Sequence, residues 1–277
     1  MHWITARFDI DLNQPQVMGI VNVTPDSFSD GGQHASTSAA LAHAERLLHE
    51  GAHILDVGGE STRPGSPAVP LDEELRRVLP VVREVVKLGV PVSVDTYKPE
   101  VMRAVLDLGA DIVNDIWALQ QPGAVDVLAS HERAGVCLMH MHRDPQTMQV
   151  APMEGDILAD VQAFLLARAN ALTARGVDPA RIALDPGVGF GKTVAQNFSL
   201  LARQEVFLTT GFAFLAGWSR KSSIGAVTGH QQPLDRVVGS VAAALLAVDR
   251  GAHVVRVHDV QATVDAIKVW QAMRASA

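Results

Sequence analysis

Asp95, Asn114 and Asp185 have side chains suited to the edge of a flat heterocycle, and each ends a short apolar run. A carboxylate accepts paired N–H donors from an amino-pyrimidine edge, and an asparagine amide offers one donor and one acceptor site to match. Together the three can read a pterin or a guanine-like ring; singly, each is equally the cap of a following helix. Anion-binding residues form a second set further on, with Arg220 and Lys221 after one run and Arg256 and His258 at the last. Arg256 and His258 lie two apart, so on an extended segment they point the same way and suit a phosphorylated substrate; the alternative is an outward salt-bridged pair. Lys221 can serve the ring instead. Asn22 and Asp56 are oxygen donors suited to Mg²⁺, the usual companion of a diphosphate.

These residues form one site only if the chain brings them together, and its patterning says how. Eight apolar runs each stop at a polar group: Val17 to Val21 at Asn22, Ile54-Leu55 at Asp56, Val92 to Val94 at Asp95, and Ile112-Val113 at Asn114-Asp115. The second half repeats the plan, with Val136 to Met139 ending at His140, Ile182 to Leu184 at Asp185, Phe212 to Trp218 at Ser219-Arg220-Lys221, and Val254 to Val257 at His258-Asp259. Parallel strands in a closed barrel deliver all their C-terminal ends to one face. The expectation is an α/β protein, a (β/α)8 TIM barrel in one domain over residues 1–277, with 1–16 an N-terminal extension. A doubly wound open sheet uses the same alternation but gathers only some strand ends, and polar endings on all eight runs favour closure.

Helical spacing fills the gaps. Ser38 to Glu50, Asp72 to Leu88, Pro99 to Leu108, Gly123 to Arg133, Ile157 to Arg175, Asn197 to Leu208, Leu234 to Arg250 and Thr263 to Met273 read as helices. The phrases Gly51-Ala52, Gly109-Ala110 and Gly251-Ala252 mark equivalent helix-to-strand joints. Asn22 to Gly32 and Gly58 to Ser66 are rich in turn and hydroxyl residues and suit lids over the catalytic face.

Composition sets the context. With 277 residues, 48% of them hydrophobic, one large domain is affordable in core volume. No apolar stretch reaches the roughly 18 residues of a membrane span, and Met1 to Asp11 lacks a signal-peptide pattern, so a cytoplasmic protein is expected. A net charge of −7 argues against a nucleic-acid surface. Cys137, the single cysteine, sits inside an apolar run and reads as a small buried hydrophobe. Pro186 to Thr193 approaches the phosphate-binding G-x-x-x-x-G-K-T, but proline stands at the first glycine position and a turn around Phe190 is the better reading. His140 and His142 have metal-ligand spacing without a clear third ligand.

Several phrases go further. Gly19 to Ser29, Asp56 to Gly65, Ser93-Val94-Asp95-Thr96, Asn114-Asp115-Ile116, Asp185 to Lys192, Ser219-Arg220-Lys221-Ser222 and Arg256-Val257-His258-Asp259 occur in this order. From Met18 nearly to the C-terminus the chain resembles the dihydropteroate synthases of the bacterial folate pathway. The resemblance implies condensation of 6-hydroxymethyl-7,8-dihydropterin diphosphate with 4-aminobenzoate, giving 7,8-dihydropteroate and pyrophosphate. By motif, Asp95, Asn114, Asp185 and Lys221 would hold the pterin, with Met139 and Phe190 lining the pocket. Asn22, Arg256 and His258 would meet the diphosphate, with Mg²⁺ on Asn22. Phe28, Thr62, Arg63 and Pro64 would belong to loops that build the aminobenzoate site, with Ser219 and Lys221 nearby. Asp95, Asp185, Lys221, Arg63, Arg256 and His258 would carry the catalysis. Sulfonamides should compete as aminobenzoate mimics, and a homodimer is expected.

Tyr97, Trp117, Arg143 and Trp218 are bulkier or more basic than that family's pattern leads one to expect, which bears on pocket shape. Two rival functions use the same barrel. A methyltetrahydrofolate-dependent methyltransferase would need no diphosphate site, and a non-catalytic pterin-binding paralogue would be expected to lose loop or cation residues retained here.

Overall fold

All eight apolar runs form strands, and they close on themselves. The computed structural model describes residues 1–23, 32–62, 65–144, 147, 148 and 150–276, with the backbone alone for 32–36. The chain starts with β1 (His2–Ile4) and β2 (Asp9–Asp11), followed by β3 (Gln16–Asn22), β4 (Ile54–Gly58), β5 (Val92–Asp95), β6 (Ile112–Asp115), β7 (Gly135–Met139), β8 (Ile182–Asp185), β9 (Ala213–Ala216) and β10 (Val254–Val257). The last eight are parallel neighbours in the closed order β10-β3-β4-β5-β6-β7-β8-β9. The open sheet is thereby excluded, and every polar run-ending lies at one mouth.

Outside the barrel lie α1 (Gly32–His49), α2 (Leu71–Val85), α3 (Pro99–Asp107), α4 (Ala124–Ser130), α5 (Leu158–Thr173), α6 (Val194–Ala202), α7 (Glu205–Leu208), α8 (Ser222–Thr228), α9 (Val237–Asp249) and α10 (Val260–Ala275). Gly51, Gly109 and Gly251 take φ of +99°, +98° and +90°, so the three Gly-Ala joints do share one left-handed helix ending. The segment expected as one helix from Asn197 to Leu208 is two, α6 and α7. At the break, the buried Gln204 side chain donates to the carbonyls of Ala247 and Arg250, closing the end of α9 instead of continuing a helix. The short α8 was not expected from the pattern; it ends at Gly229, at φ +79°.

Strand alternation sorts the side chains. Val17, Val21, Leu55, Val57, Val92, Val94, Val113 and Val136 pack outward among the helices. Met18, Ile54, Ile112, Cys137, Ala183, Leu215 and Val254 form a separate apolar cluster in the lumen. Cys137 is fully buried there, and burial pushes its thiol well up, so it is inert.

The bottom of this plug is closed by the residues expected as an extension. β1 and β2 pair antiparallel, and Trp3, Ile10 and Leu12 join the lumen cluster. Trp3 Nε1 donates to the Arg181 carbonyl at 3.0 Å, and Arg7 forms a two-pronged contact with Asp111 at 3.0 and 2.6 Å. Trp3 is completely buried, so Trp3→Ala should cost about 3–5 kcal/mol, measured as a shift in denaturant midpoint, with pterin binding unchanged well below the transition.

Candidate active site

The plug ends where the polar residues begin. Asp56, Asp95 and Arg256 rise from β4, β5 and β10, and Asn114 stands in register beside Asp95. Arg256 donates from Nε to Asp56 Oδ2 at 2.6 Å and from Nη2 to Asp95 Oδ2 at 2.8 Å, and Asn114 Nδ2 lies 3.4 Å from the same Asp56 oxygen. Burial opposes the charge on Arg256, but Asp56, Asp95 and Asp185 outweigh it and hold the guanidinium firmly protonated. Burial pushes the Asp95 carboxyl up to about 7; Arg256 pulls the other way, and Asp56, Glu74 and Asp115 add to the rise.

This changes the reading of Arg256. It reaches inward to the carboxylates beside the ring-reading set, whereas His258 is bonded to Ser219, with Ser219 Oγ 3.0 Å from His258 Nδ1 and His258 N donating to the same oxygen. Asp56, weighed as an Mg²⁺ ligand, has one oxygen taken by Arg256 and Asn114. Its other oxygen and Ser93 Oγ, on strand positions in register, are buried without a hydrogen-bond partner among the described residues. The Arg220 guanidinium grips Asp259 at 3.0 and 2.6 Å.

Across the mouth, Asp185 accepts the Gly187 N–H at 2.7 Å. Burial raises its carboxyl, opposed by that N–H and by Lys221, Lys192 and Arg256. Lys221 Nζ lies 4.2 Å from the centre of the Phe190 ring. Phe190 and Met139 belong to a small apolar cluster with Ile116, Met141 and Met148, against which Tyr97 and Trp117 pack. Asn22 ends β3 beside Gly58, partly exposed at the rim, and Thr62 is partly buried in the following loop. Phe28, Arg63 and Pro64 lie outside the described residues.

The adjacent Asp115 belongs to the scaffold. It accepts the N–H groups of Trp117 and Leu119, both at 2.7 Å, and stabilises a turn in which Ala118 and Leu119 have φ of +51° and +58°. Arg168 ties down the carbonyls of the same two residues.

Taken together, carboxylates and an amide at the strand ends, an apolar cluster that includes Met139 and Phe190, and Lys221 over the Phe190 ring offer the acceptors, donors and apolar surface that a pterin ring would need. Residues 18–258 match the family described as pterin binding enzyme. The dihydropteroate synthase of Neisseria meningitidis serogroup B is 52% identical over 98% of this chain and 97% of that protein. The chain belongs to this family. Among solved structures, a Xanthomonas albilineans dihydropteroate synthase with 4-aminobenzoic acid superposes at a TM-score of 0.91 with 54% identity, covering 96% of each chain. A Burkholderia cenocepacia dihydropteroate synthase complexed with 7,8-dihydropteroate gives 0.90 and 52%, covering 99% of this chain and 97% of that one. Relatedness at this level across nearly the whole chain makes it a dihydropteroate synthase, a transferase, and sets aside the methyltransferase and non-catalytic readings.

Against the dihydropteroate synthase pattern, the bulky departures fall in different places. Tyr97 and Trp117 pair at the mouth with centroids 4.9 Å apart, while Trp218 is buried against Phe198, away from the opening, and Arg143 is exposed at φ +64°. Sequence reasoning missed what holds Tyr97: its hydroxyl donates to Glu60 at 3.0 Å, and Lys98 bridges Glu60 to the buried Glu74. The charges adjoining the Asp95-Thr96 phrase were the available signal. His140 Nδ1 is engaged by Lys192 at 2.9 Å. No cluster of three or more His, Cys, Asp or Glu suited to a metal occurs among the described residues.

Proposed function

We propose that this chain joins 6-hydroxymethyl-7,8-dihydropterin diphosphate to 4-aminobenzoate by early cleavage of the pterin C–O bond, followed by attack of the aniline nitrogen on the exposed carbon. The observation carrying this reading is the Arg256 guanidinium shared between Asp56 and Asp95, which sets carboxylates and a cation side by side at the mouth, as charge separation between a pterin cation and a departing diphosphate would require. Asp95, Asn114 and Asp185 accept from and donate to the ring edge, and Lys221 faces it from above Phe190. Carboxylates beside the pterin favour the cation left by departure of the diphosphate, in a site whose dipoles are already set. His258, held by Ser219, and the exposed part of Arg256 meet the diphosphate. The aniline nitrogen is a neutral nucleophile, so positioning supplies much of the rate and no strong general base is required. Thr62, with Phe28, Arg63 and Pro64, is assigned to the aminobenzoate side, where a sulfonamide of similar shape would compete.

Positional isotope exchange tests the order of bond changes. With ¹⁸O in the C–O–P bridge and benzoate in place of 4-aminobenzoate, scrambling of the label into the non-bridging α-phosphate oxygens is expected. Retention of the label in the bridge, under conditions where 4-aminobenzoate is consumed normally, contradicts early cleavage.

Mg²⁺ fits this donor set modestly. Asn22 offers a hard amide oxygen at the rim, and Mg²⁺ is commonly held by one or two protein oxygens with the remainder from substrate phosphates and water. Its contribution when bound is to neutralise the diphosphate. Chelation should abolish turnover while leaving binding of an unphosphorylated dihydropterin intact, and Asn22→Ala should raise the Mg²⁺ concentration needed for half-maximal rate about tenfold. An unchanged Mg²⁺ requirement removes Asn22 from this role.

A cytoplasmic homodimer completes the proposal. Among the described residues no helix is long and apolar enough to cross a membrane. α9 and α10 pack together and expose Val238, Leu246, Val269 and Met273, with Leu234 just before α9. Five large apolar side chains on adjoining elements are an unusual surface for a monomer, and a second copy is the occupant proposed. Light scattering should give twice the chain mass, and Val238→Glu with Met273→Glu should give one; a monomeric parent refutes the dimer.

A further inference from the structure

The segment that approaches a phosphate-binding loop, Pro186 to Thr193, turns its lysine inward. Lys192 is only 3% exposed. Its Nζ donates to the carbonyls of Gly187 at 2.9 Å, Phe190 at 3.1 Å and His140 at 3.3 Å, and lies 2.9 Å from His140 Nδ1. An ammonium has three N–H groups, so these four acceptors saturate it. They belong to two segments, the turn after β8 and the end of β7, and Lys192 therefore ties one to the other.

Close packing makes the tie specific. Gly187 sits at φ +69°, and a Cβ there would lie 1.8 Å from the His140 carbonyl oxygen; a Cβ on Gly191 would lie 2.5 Å from the His142 Cβ and 2.9 Å from the His142 carbonyl oxygen. His140 is held neutral, its imidazole lowered to about 3 by burial and then by Lys192, as befits an acceptor at Nδ1. Burial likewise brings Lys192 down to about 7, with Asp185 opposing and Lys221 assisting.

The same turn carries the pterin-site groups. Gly187 N donates to Asp185, the Phe190 ring lies under Lys221, and a Cβ on Gly189 would come within 3.3 Å of Lys221 Cδ. Gly189 N also donates to Asn197 Oδ1 at 2.9 Å, and Asn197 Nδ2 donates to Ser223 Oγ at 2.9 Å, extending the linkage to α8.

We propose that Lys192 is a positioning residue for the pterin pocket, pinning the carbonyls of Gly187 and Phe190 to the end of β7 so that Phe190, Asp185 and Lys221 keep their mutual placement. The proposal rests on those three residues being the pterin pocket. Lys192 itself touches no substrate.

Calorimetric dihydropterin affinity of Lys192→Met, Phe190→Ala and the double variant tests it, measured well below each variant's melting temperature. Lys192→Met should weaken binding about tenfold, and the double variant should be weaker than either single but clearly short of their product, because the part of the loss that passes through Phe190 occurs once while Asp185 and Lys221 are still displaced. Effects that multiply, or an affinity for Lys192→Met within about twofold of the parent, overturn the proposal. Should Lys192→Met fail to fold, His140→Phe removes one acceptor and His140→Asn restores an oxygen near the Nδ1 position. Binding should then drop in the first and recover in the second; equal affinities overturn the proposal. A parent protein that does not bind the dihydropterin overturns the pocket reading instead.

Discussion

Asp95→Asn is expected to weaken dihydropterin binding at least about 100-fold while leaving the protein folded, because it removes a charge-assisted pair of hydrogen bonds and turns an amide donor toward ring N–H donors. The substitution conserves volume, and Asp56 still pairs with Arg256, so the barrel floor retains one carboxylate for its guanidinium. Calorimetry on the substrate and on an unphosphorylated dihydropterin measures it; a loss below about threefold would show that Asp95 does not read the ring edge. The pH dependence follows in sign. The carboxyl of the free protein is pushed up to about 7 by burial, and only its ionised form accepts two N–H groups. Affinity should therefore rise with pH through neutrality in the parent and lose most of that dependence in Asp95→Asn.

Arg256→Met should be the most damaging substitution for stability and turnover together. Asp56 is fully buried and Asp95 nearly so, and removing their shared cation leaves two carboxylates uncompensated, a loss of about 3–5 kcal/mol by precedent for broken buried pairs. Turnover should fall at least about 100-fold through loss of charge opposite the leaving diphosphate. The two effects separate in Asp56→Asn combined with Arg256→Met, which removes one orphan charge and should recover part of the denaturant stability without recovering rate. Recovery of rate would assign Arg256 a purely structural function. Arg256→Lys should rescue only partly, since one ammonium on a shorter fork cannot reproduce the contacts at 2.6 and 2.8 Å.

Much of the barrel was legible because its evidence is local. Each strand is a short apolar run stopped by a group that belongs at a wet mouth, and Gly51, Gly109 and Gly251 mark repeated joints through a backbone angle glycine adopts at no steric cost. Strand alternation also placed Asp56, Asp95 and Arg256 in the lumen in principle. What alternation could not provide was partnership: Arg256 meets Asp56 across 200 positions of chain, and only the closed order of strands makes them neighbours. The break after α6 has the same origin, because Gln204 leaves the helix to satisfy carbonyls more than 40 residues away. The hairpin's task was hidden too, since three-residue strands carry little periodicity and Trp3 acquires its meaning from the lumen it closes.

Lys192 shows a different limit. Its motif resembles a phosphate loop with proline at the first glycine position, yet nothing local revealed that His140 would supply two of its four acceptors. Tyr97 is similar: its size was visible as a departure, but its bond to Glu60 depends on two adjacent strand-end loops meeting.

Condensation by this chain is tested by following pyrophosphate and dihydropteroate together, with purified protein, dihydropterin diphosphate and Mg²⁺, in the presence and absence of 4-aminobenzoate. Sustained pyrophosphate release is expected only with 4-aminobenzoate, matched by an equal amount of dihydropteroate. Binding of the dihydropterin with no product formed under those conditions would contradict it.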